Sequence, residues 1–160
     1  MNINKFEKWN RLIATLTFFI ALTVYSLTVE PTASYWDCAE YISTSAKLQV
    51  GHPPGAPLFQ MLGAFFSSFA FEAENIAFMV NMMSVFASAF TILFLFLTTT
   101  IIGKKIVLKN AAISNSNAII ILGSSFLGSL CFTFSDSFWF NAVEAEVYAM
   151  ATMIMALLFW

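Results

Sequence analysis

From residue 76 to residue 102 the chain runs for 27 residues without one charged side chain. A backbone placed in lipid must satisfy its hydrogen bonds within itself, so such a run is a helix. A hydrocarbon core about 30 Å thick takes roughly 20 helical residues, and this run exceeds that. Further apolar runs at 12–29, 118–134 and 140–160 predict three more spans. Only 10% of the 160 residues are charged, against about 25% in a soluble domain, so there are too few charges to cover a water-facing surface. The fold class is therefore an all-α integral membrane protein, a multi-pass helical bundle. The sequence stops at Trp160 inside an apolar run without a stop signal, and the expectation is the N-terminal portion of a longer transmembrane domain.

A basic start, Lys5, Lys8 and Arg11, precedes the first run. A cleaved signal peptide is the competing reading; the run is long for an h-region of about 7–15 residues, and no small-x-small site ends it. After Glu30-Pro31 a helix is predicted over 34–50, outside the hydrocarbon core. Ser34 and Asp37 have the spacing of a capping box, and Gly51 is placed to close the helix in a left-handed conformation. Asp37, Tyr41, Thr44 and Leu48 share one predicted face, with Glu40 and Lys47 on its edge. The small face, Ala39, Ile42 and Ala46, is expected to rest on the bundle.

A second helix over 57–71 follows His52-Pro53-Pro54-Gly55. At about 1.5 Å per residue it is too short to cross, and is read as re-entrant or interfacial, with Gln60, Gly63, Ala64, Ser67 and Ser68 forming a small-polar stripe. If it does not cross, Lys5, Lys8, Arg11, Lys104, Lys105 and Lys109, six of seven basic residues, lie on one side with the N-terminus. The positive-inside rule makes that side cytoplasmic. Eight of nine acids, all but Glu7, fall on the other.

On the 76–102 helix Asn81, Ser84 and Ser88 are spaced to face the bundle, and Ser124-x-x-x-Gly128 with Ser125-x-x-x-Ser129 offers close helix contact on the 118–134 span. Glu144 and Glu146 fall near the outer end of the 140–160 helix. Two residues apart on a helix they point about 200° away from each other, so they cannot converge on one ion. Asn141, Glu144 and Tyr148 share a face there, which makes Glu144 the better site candidate. No metal ligand set is assigned and no cofactor is predicted, with a divalent metal kept as the open alternative. Cys38 and Cys131 lack metal-ligand spacing and are expected as small apolar fillers, and no basic patch argues for nucleic acid.

The chemistry concentrates in residues 35–57, where Asp37, Glu40, Tyr41, Lys47 and the chain's one histidine, His52, stand between apolar runs. Ionisable groups at a membrane edge are functional candidates. Without a serine or cysteine beside a base, and without a glycine-rich phosphate loop, this inventory suits general-base chemistry on a hydroxyl or amide, with a lipid-borne donor arriving through the bilayer. The bland alternatives are Asp37 as a helix cap, His52 bonded only to its turn, and Lys47 as a snorkelling side chain. A proton- or solute-coupled transporter would carry its acids mid-membrane on broken helices, and a structural subunit has no need of paired acids on one helix face.

Asp37-x-x-Glu40 after the first span, then Gly51-His52-Pro53-Pro54-Gly55, then a short helix and an acidic-Asn loop, resembles the N-terminal part of C-type glycosyltransferases. Within them it is most similar to the protein O-mannosyltransferase-like family of Bacteroidetes and animals, as is Ala145-Glu146-Val147-Tyr148. The resemblance implies an inverting transfer of a sugar, mannose foremost, from a polyprenyl-phosphate donor to a hydroxyl of a protein or glycan acceptor, on the periplasmic face of a bacterial inner membrane. By carry-over Asp37 is the base and Glu40 orients acceptor or base. His52 and Lys47 are candidates for the donor phosphate, with Tyr41 and Glu144 as further substrate-binding candidates. The fungal-type enzymes place two acids side by side, whereas here Cys38 follows Asp37.

Overall fold

The computed structural model describes residues 1–109 and 112–160, and among these every regular element is helical. Helix α1, Ile3–Thr28, starts at Asn2, whose side chain accepts the Asn4 N–H at 3.2 Å. It begins well before residue 12 because this cap and a run of good helix formers let the polar start wind, with Phe6 and Asn10 buried on one side. A 3-10 turn, Ala73–Asn75, leads into α4, Ile76–Leu108, which at about 1.5 Å per residue is some 50 Å long and reaches past residue 102 to include Lys104 and Lys105. Helix α5, Asn115–Thr133, is capped by the Ser114 hydroxyl, which accepts the Asn117 N–H at 3.0 Å. These three helices are long and apolar enough to cross a membrane.

Helix α4 is the axis, packed against α1, α5 and the last helix. Asn81, Ser84 and Ser88 are buried on it, as their spacing predicts. Ser125 and Ser129 are buried in the bundle, whereas Ser124 and Gly128 face outward, and a side chain at Gly128 would meet nothing within 4 Å. The close approach lies elsewhere on α5: a Cβ at Gly103 would stand 3.2 Å from Ile121. Cys38 is a buried filler; Cys131 is exposed.

The segment predicted as one helix over 140–160 is two, α6 (Asp136–Ala142) and α7 (Val147–Phe159), meeting at 110°. The elbow, residues 143–146, is pinned from outside, since the Val143 carbonyl accepts the Glu30 N–H at 2.9 Å. A tertiary hydrogen bond thus overrides a sequence with no Gly or Pro to announce a break.

The two ends of the bundle differ in kind. At one end Lys104 pairs with Glu7 at 3.0 Å and lies 5.4 Å from the centre of the Phe6 ring, and the N-terminal amine donates to the Ile113 carbonyl at 2.5 Å. At the other, Asn81 near the start of α4 donates to the Glu30 and Thr32 carbonyls at 2.7 and 2.8 Å and fixes the chain leaving α1. The acidic helix and its neighbours sit at this second end, some 35 Å along α4 from Lys104.

Candidate functional site

Helix α2 runs Cys38–Lys47, shorter than the predicted 34–50 at both ends. Trp36 holds a left-handed φ of 64°, uncommon for a bulky residue, so the helix cannot start before it. The proposed capping box does not form: Asp37 stands at the N-cap but its side chain caps nothing, and the Ser34 hydroxyl donates to the Glu144 carboxylate instead. The helix ends at Leu48, φ 49°, where N–H groups of Leu48 and Gln49 close on Ser45 and Thr44, so the left-handed residue is Leu48 and not Gly51.

The buried face of α2 is Cys38, Ile42, Thr44 and Ser45. Thr44 was expected beside Asp37 on the open face and Ala39 against the bundle; the helix is turned so that the reverse holds. Cys38 and Ile42 pack with Phe59, Val80, Met83 and Ala145, a small core that ties α2 to α4 and to the elbow. Helix α3, Pro57–Ser67, ends four residues before the predicted boundary and at about 16 Å long does not cross. Of its predicted stripe, Gln60 and Gly63 are buried and Ser68 is exposed. Gly63 is required there, because a Cβ would lie 2.5 Å from the Ser45 Oγ.

On this floor stand the three polar groups. The His52 backbone N–H donates to Glu40 Oε1 at 2.6 Å, and His52 Nδ1 lies 3.0 Å from Glu40 Oε2. The other ring nitrogen, Nε2, faces Asp37 Oδ2 at 3.9 Å. Glu40 is thus the clamp of the histidine turn, and the hydrogen bonds from His52 hold its carboxyl below the usual range. The same bond and charge raise the His52 imidazole, with Asp37 and Glu146 adding to the effect. One ligand atom from each of Asp37, Glu40 and His52 lies within 4.8 Å of the others, a set able to hold a metal ion.

Tyr41 borders the cluster, its ring centre 6.1 Å from that of His52 and 5.1 Å from that of Phe59. Burial and the charges of Glu146, Asp37 and Glu40 push its hydroxyl up. Lys47 is exposed at the far end of α2, about 15 Å of helix from Asp37, and makes no ion pair among the described residues. The structure does not bring it into the cluster.

Glu144 and Glu146 lie in the elbow between α6 and α7, off any helix, so the 200° divergence of a helix does not apply to them. Both are buried, 4% and 7% exposed. Glu144 turns to Ser34 and Glu30; burial raises its carboxyl. Glu146 is the one in the field of Asp37 and His52, and burial, then the charges of Glu144 and Asp37, push it up to about 7. The sequence favours Glu144 over Glu146 on a face shared with Asn141 and Tyr148, and that face does not exist across the bend: Asn141 belongs to α6, Tyr148 to α7. Placing Val147 and Ala145 against α2 is what aims Glu146 at the site.

These features define a helical membrane protein with a carboxylate-histidine cluster built on short helices at the end of the bundle away from Lys104 and the N-terminus. Residues 37–160 match the family described as the protein O-mannosyl-transferase TMEM260 N-terminal domain, and the chain belongs to that family. It is 28% identical over 156 residues to protein O-mannosyl-transferase tmem260 of Dictyostelium discoideum, covering 96% of this chain and 17% of that protein. To protein O-mannosyl-transferase TMEM260 of Mus musculus it is 28% identical over 141 residues, covering 88% of this chain and 18% of that protein. The chain therefore spans less than a fifth of the length of these relatives. No solved structure matches.

Proposed function

We propose that this chain is the N-terminal part of an inverting protein O-mannosyltransferase that takes mannose from a polyprenyl phosphate on the external face of the membrane. The observation that carries the proposal is Asp37: a carboxylate at a helix start that caps nothing, half open to solvent and facing a histidine clamped by Glu40. Membership in a family named for protein O-mannosyl transfer supports the choice of sugar and acceptor.

In this reaction an acceptor hydroxyl attacks the anomeric carbon from the face opposite the phosphate. The new C–O bond forms as the bond to the phosphate oxygen breaks, polyprenyl phosphate departs with the electron pair, and the hydroxyl proton passes to Asp37. Glu40 is a positioning residue, which holds the ring and backbone of His52 so that His52 faces the donor phosphate. An apolar groove beside the cluster, lined by Tyr41, Pro57, Phe59, Val147, Met150 and Ile154, offers the start of the prenyl chain a dry wall. Tyr35 and Trp36, both exposed, are residue types enriched at the membrane-water boundary. The separation of the acid-rich end from Lys104 and the N-terminus supports a cytoplasmic N-terminus and a periplasmic site, in the inner membrane for a bacterial host. Acids gathered at one end of the bundle, away from mid-helix, count against a coupled transporter.

The test is Asp37→Asn in the full-length protein. Hexose on Ser or Thr of exported acceptors, read by mass spectrometry, is expected to fall at least about 100-fold while the protein still inserts and folds. Unchanged glycosylation by a folded Asp37→Asn protein removes Asp37 as the base.

A further inference from the structure

Electrostatics at the cluster are one-sided. Asp37 and Glu40 bring two carboxylates to one place, with the buried carboxyl of Glu146 in their field, and the sole basic group among them is His52. No lysine or arginine pairs with them among the described residues. A phosphate-bearing donor is an anion, and these carboxylates repel it unless a cation stands between. The same geometry contains a place for one. The ligand atoms of Asp37, Glu40 and His52 already lie within 4.8 Å of one another. Metal-ligand bonds of about 2.0–2.2 Å set tetrahedral ligands about 3.4 Å apart, so an ion asks the widest-spaced of these open side chains to close by about 1.4 Å at most.

A second, independent feature points the same way. Gln60 is 7% exposed, and its Nε2 has no hydrogen-bond partner. Gly51 stands between it and Glu40: a Cβ there would lie 3.0 Å from Glu40 Oε1 and 3.2 Å from Gln60 Nε2. The bare glycine leaves a small cradle with a carboxylate on one wall and an unpartnered carboxamide on the other. Buried polar groups are ordinarily satisfied, so an unpartnered carboxamide on the wall of this cradle leaves it open to an occupant. A half-turn of the carboxamide presents its oxygen, a ligand for a hard cation. Mixed imidazole, carboxylate and amide oxygen ligation suits a first-row divalent ion such as Mn²⁺.

We propose that Asp37, Glu40 and His52, backed by Gln60, hold one divalent metal ion whose open positions take an oxygen of the donor phosphate. The proposal rests on the transferase reading for the identity of the ligand, though not for the ion. Glu40 and His52 share the ion in place of the proton between them, and Asp37 binds through one oxygen while the other stays free for the acceptor hydroxyl. This assigns the unpartnered carboxamide of Gln60 a purpose and adds ion binding to the clamp role of Glu40.

The experiment uses the full-length protein, stripped with EDTA, with no donor or acceptor present. Mn²⁺ is titrated in, and the loss of the free-ion electron paramagnetic resonance signal is followed. One ion per chain is expected, with affinity at least tenfold weaker in Asp37→Asn and in His52→Asn, and unchanged in Glu74→Gln, an exposed acid outside the cluster. Gln60→Met, which keeps the volume, is expected to weaken binding by less. Absence of stoichiometric Mn²⁺ binding by the folded wild-type protein, or binding indifferent to both cluster variants, overturns the proposal. Mannosyl transfer by the stripped enzyme at its full rate also overturns the ion while leaving the transferase reading intact. Stoichiometric Mn²⁺ binding that depends on Asp37 and His52 in a protein without transfer activity supports the ion and sinks the transferase.

Discussion

The lysine end and the histidine end of this bundle use charge in opposite ways. Lys104 reaches Glu7 directly and lies over Phe6, so its positive charge is neutralised by an acid of the neighbouring helix. At the far end carboxylates accumulate without lysine or arginine partners among the described residues, on a floor that requires glycine at position 63 and buries the carboxamide of Gln60. Packing alone explains the first arrangement. The second crowds acidic groups in a way that packing does not call for, and this supports the proposal of a site there.

The contrast is sharpened first by Glu40→Gln. It leaves the shape of the turn but removes the anion that orients His52, and transfer by the full-length enzyme is expected to drop about 10–100-fold, as for other residues that orient a functional histidine. Wild-type transfer rates in that variant would reduce the clamp to decoration.

Glu146→Gln comes next and is read as stability. A carboxyl raised from 4.5 to about 7 in the fold binds its proton more tightly folded than unfolded. Its contribution is therefore favourable below pH 4.5, and is lost as pH rises through the folded value, making the native chain less stable above pH 7 than near pH 5. In metal-stripped protein the variant is expected to flatten that loss by about 1–3 kcal/mol, measured by denaturation at pH 5 and pH 8. An unaltered pH dependence would mean that Glu146 is not buried as an acid.

Gly63→Ala drives a methyl into Ser45 and should destabilise the α2–α3 floor by about 1–3 kcal/mol, whereas Gly123→Ala, with open space around it, should not destabilise. Equal effects in a melting comparison would contradict the close packing under the site. The smallest effect belongs to the other end: Lys104→Ala removes a partly exposed pair and is expected to cost at most about 1 kcal/mol with transfer unchanged. A large loss of activity there would erase the distinction between the two ends.

Much of this was legible in the sequence for simple reasons. Long uncharged runs can only be helices in lipid, and the positions of Lys5, Lys104 and the acids separate the ends without any knowledge of packing. Asp37, Glu40 and His52 lie close along the chain, so a short helix and a proline turn bring them together locally. What depended on distant contacts was not legible. Ser34 has the spacing of a cap, yet its hydroxyl goes to Glu144, 110 residues on. The sequence around 143–146 favours continued helix, and the bend comes from Glu30, held in turn by Asn81. Because that bend was hidden, so was the choice between Glu144 and Glu146. The rotation of α2 was missed because Ala39 and Thr44 differ little in size, and the fit of Cys38 to Asn81 and Phe59 decides which side goes down.

Asn81 lies within the long apolar helix α4, and its amide ties together three segments: it donates to Glu30 and Thr32 and accepts from the Cys38 thiol at 3.8 Å. Replacing it with leucine would improve that helix on any oil-water scale while cutting the tether of the outer loop. Variants judged by lipophilicity alone would thus be ranked backwards at this position, and a lesion inside a long apolar helix would present itself as a defect of the carboxylate-histidine cluster beyond its end.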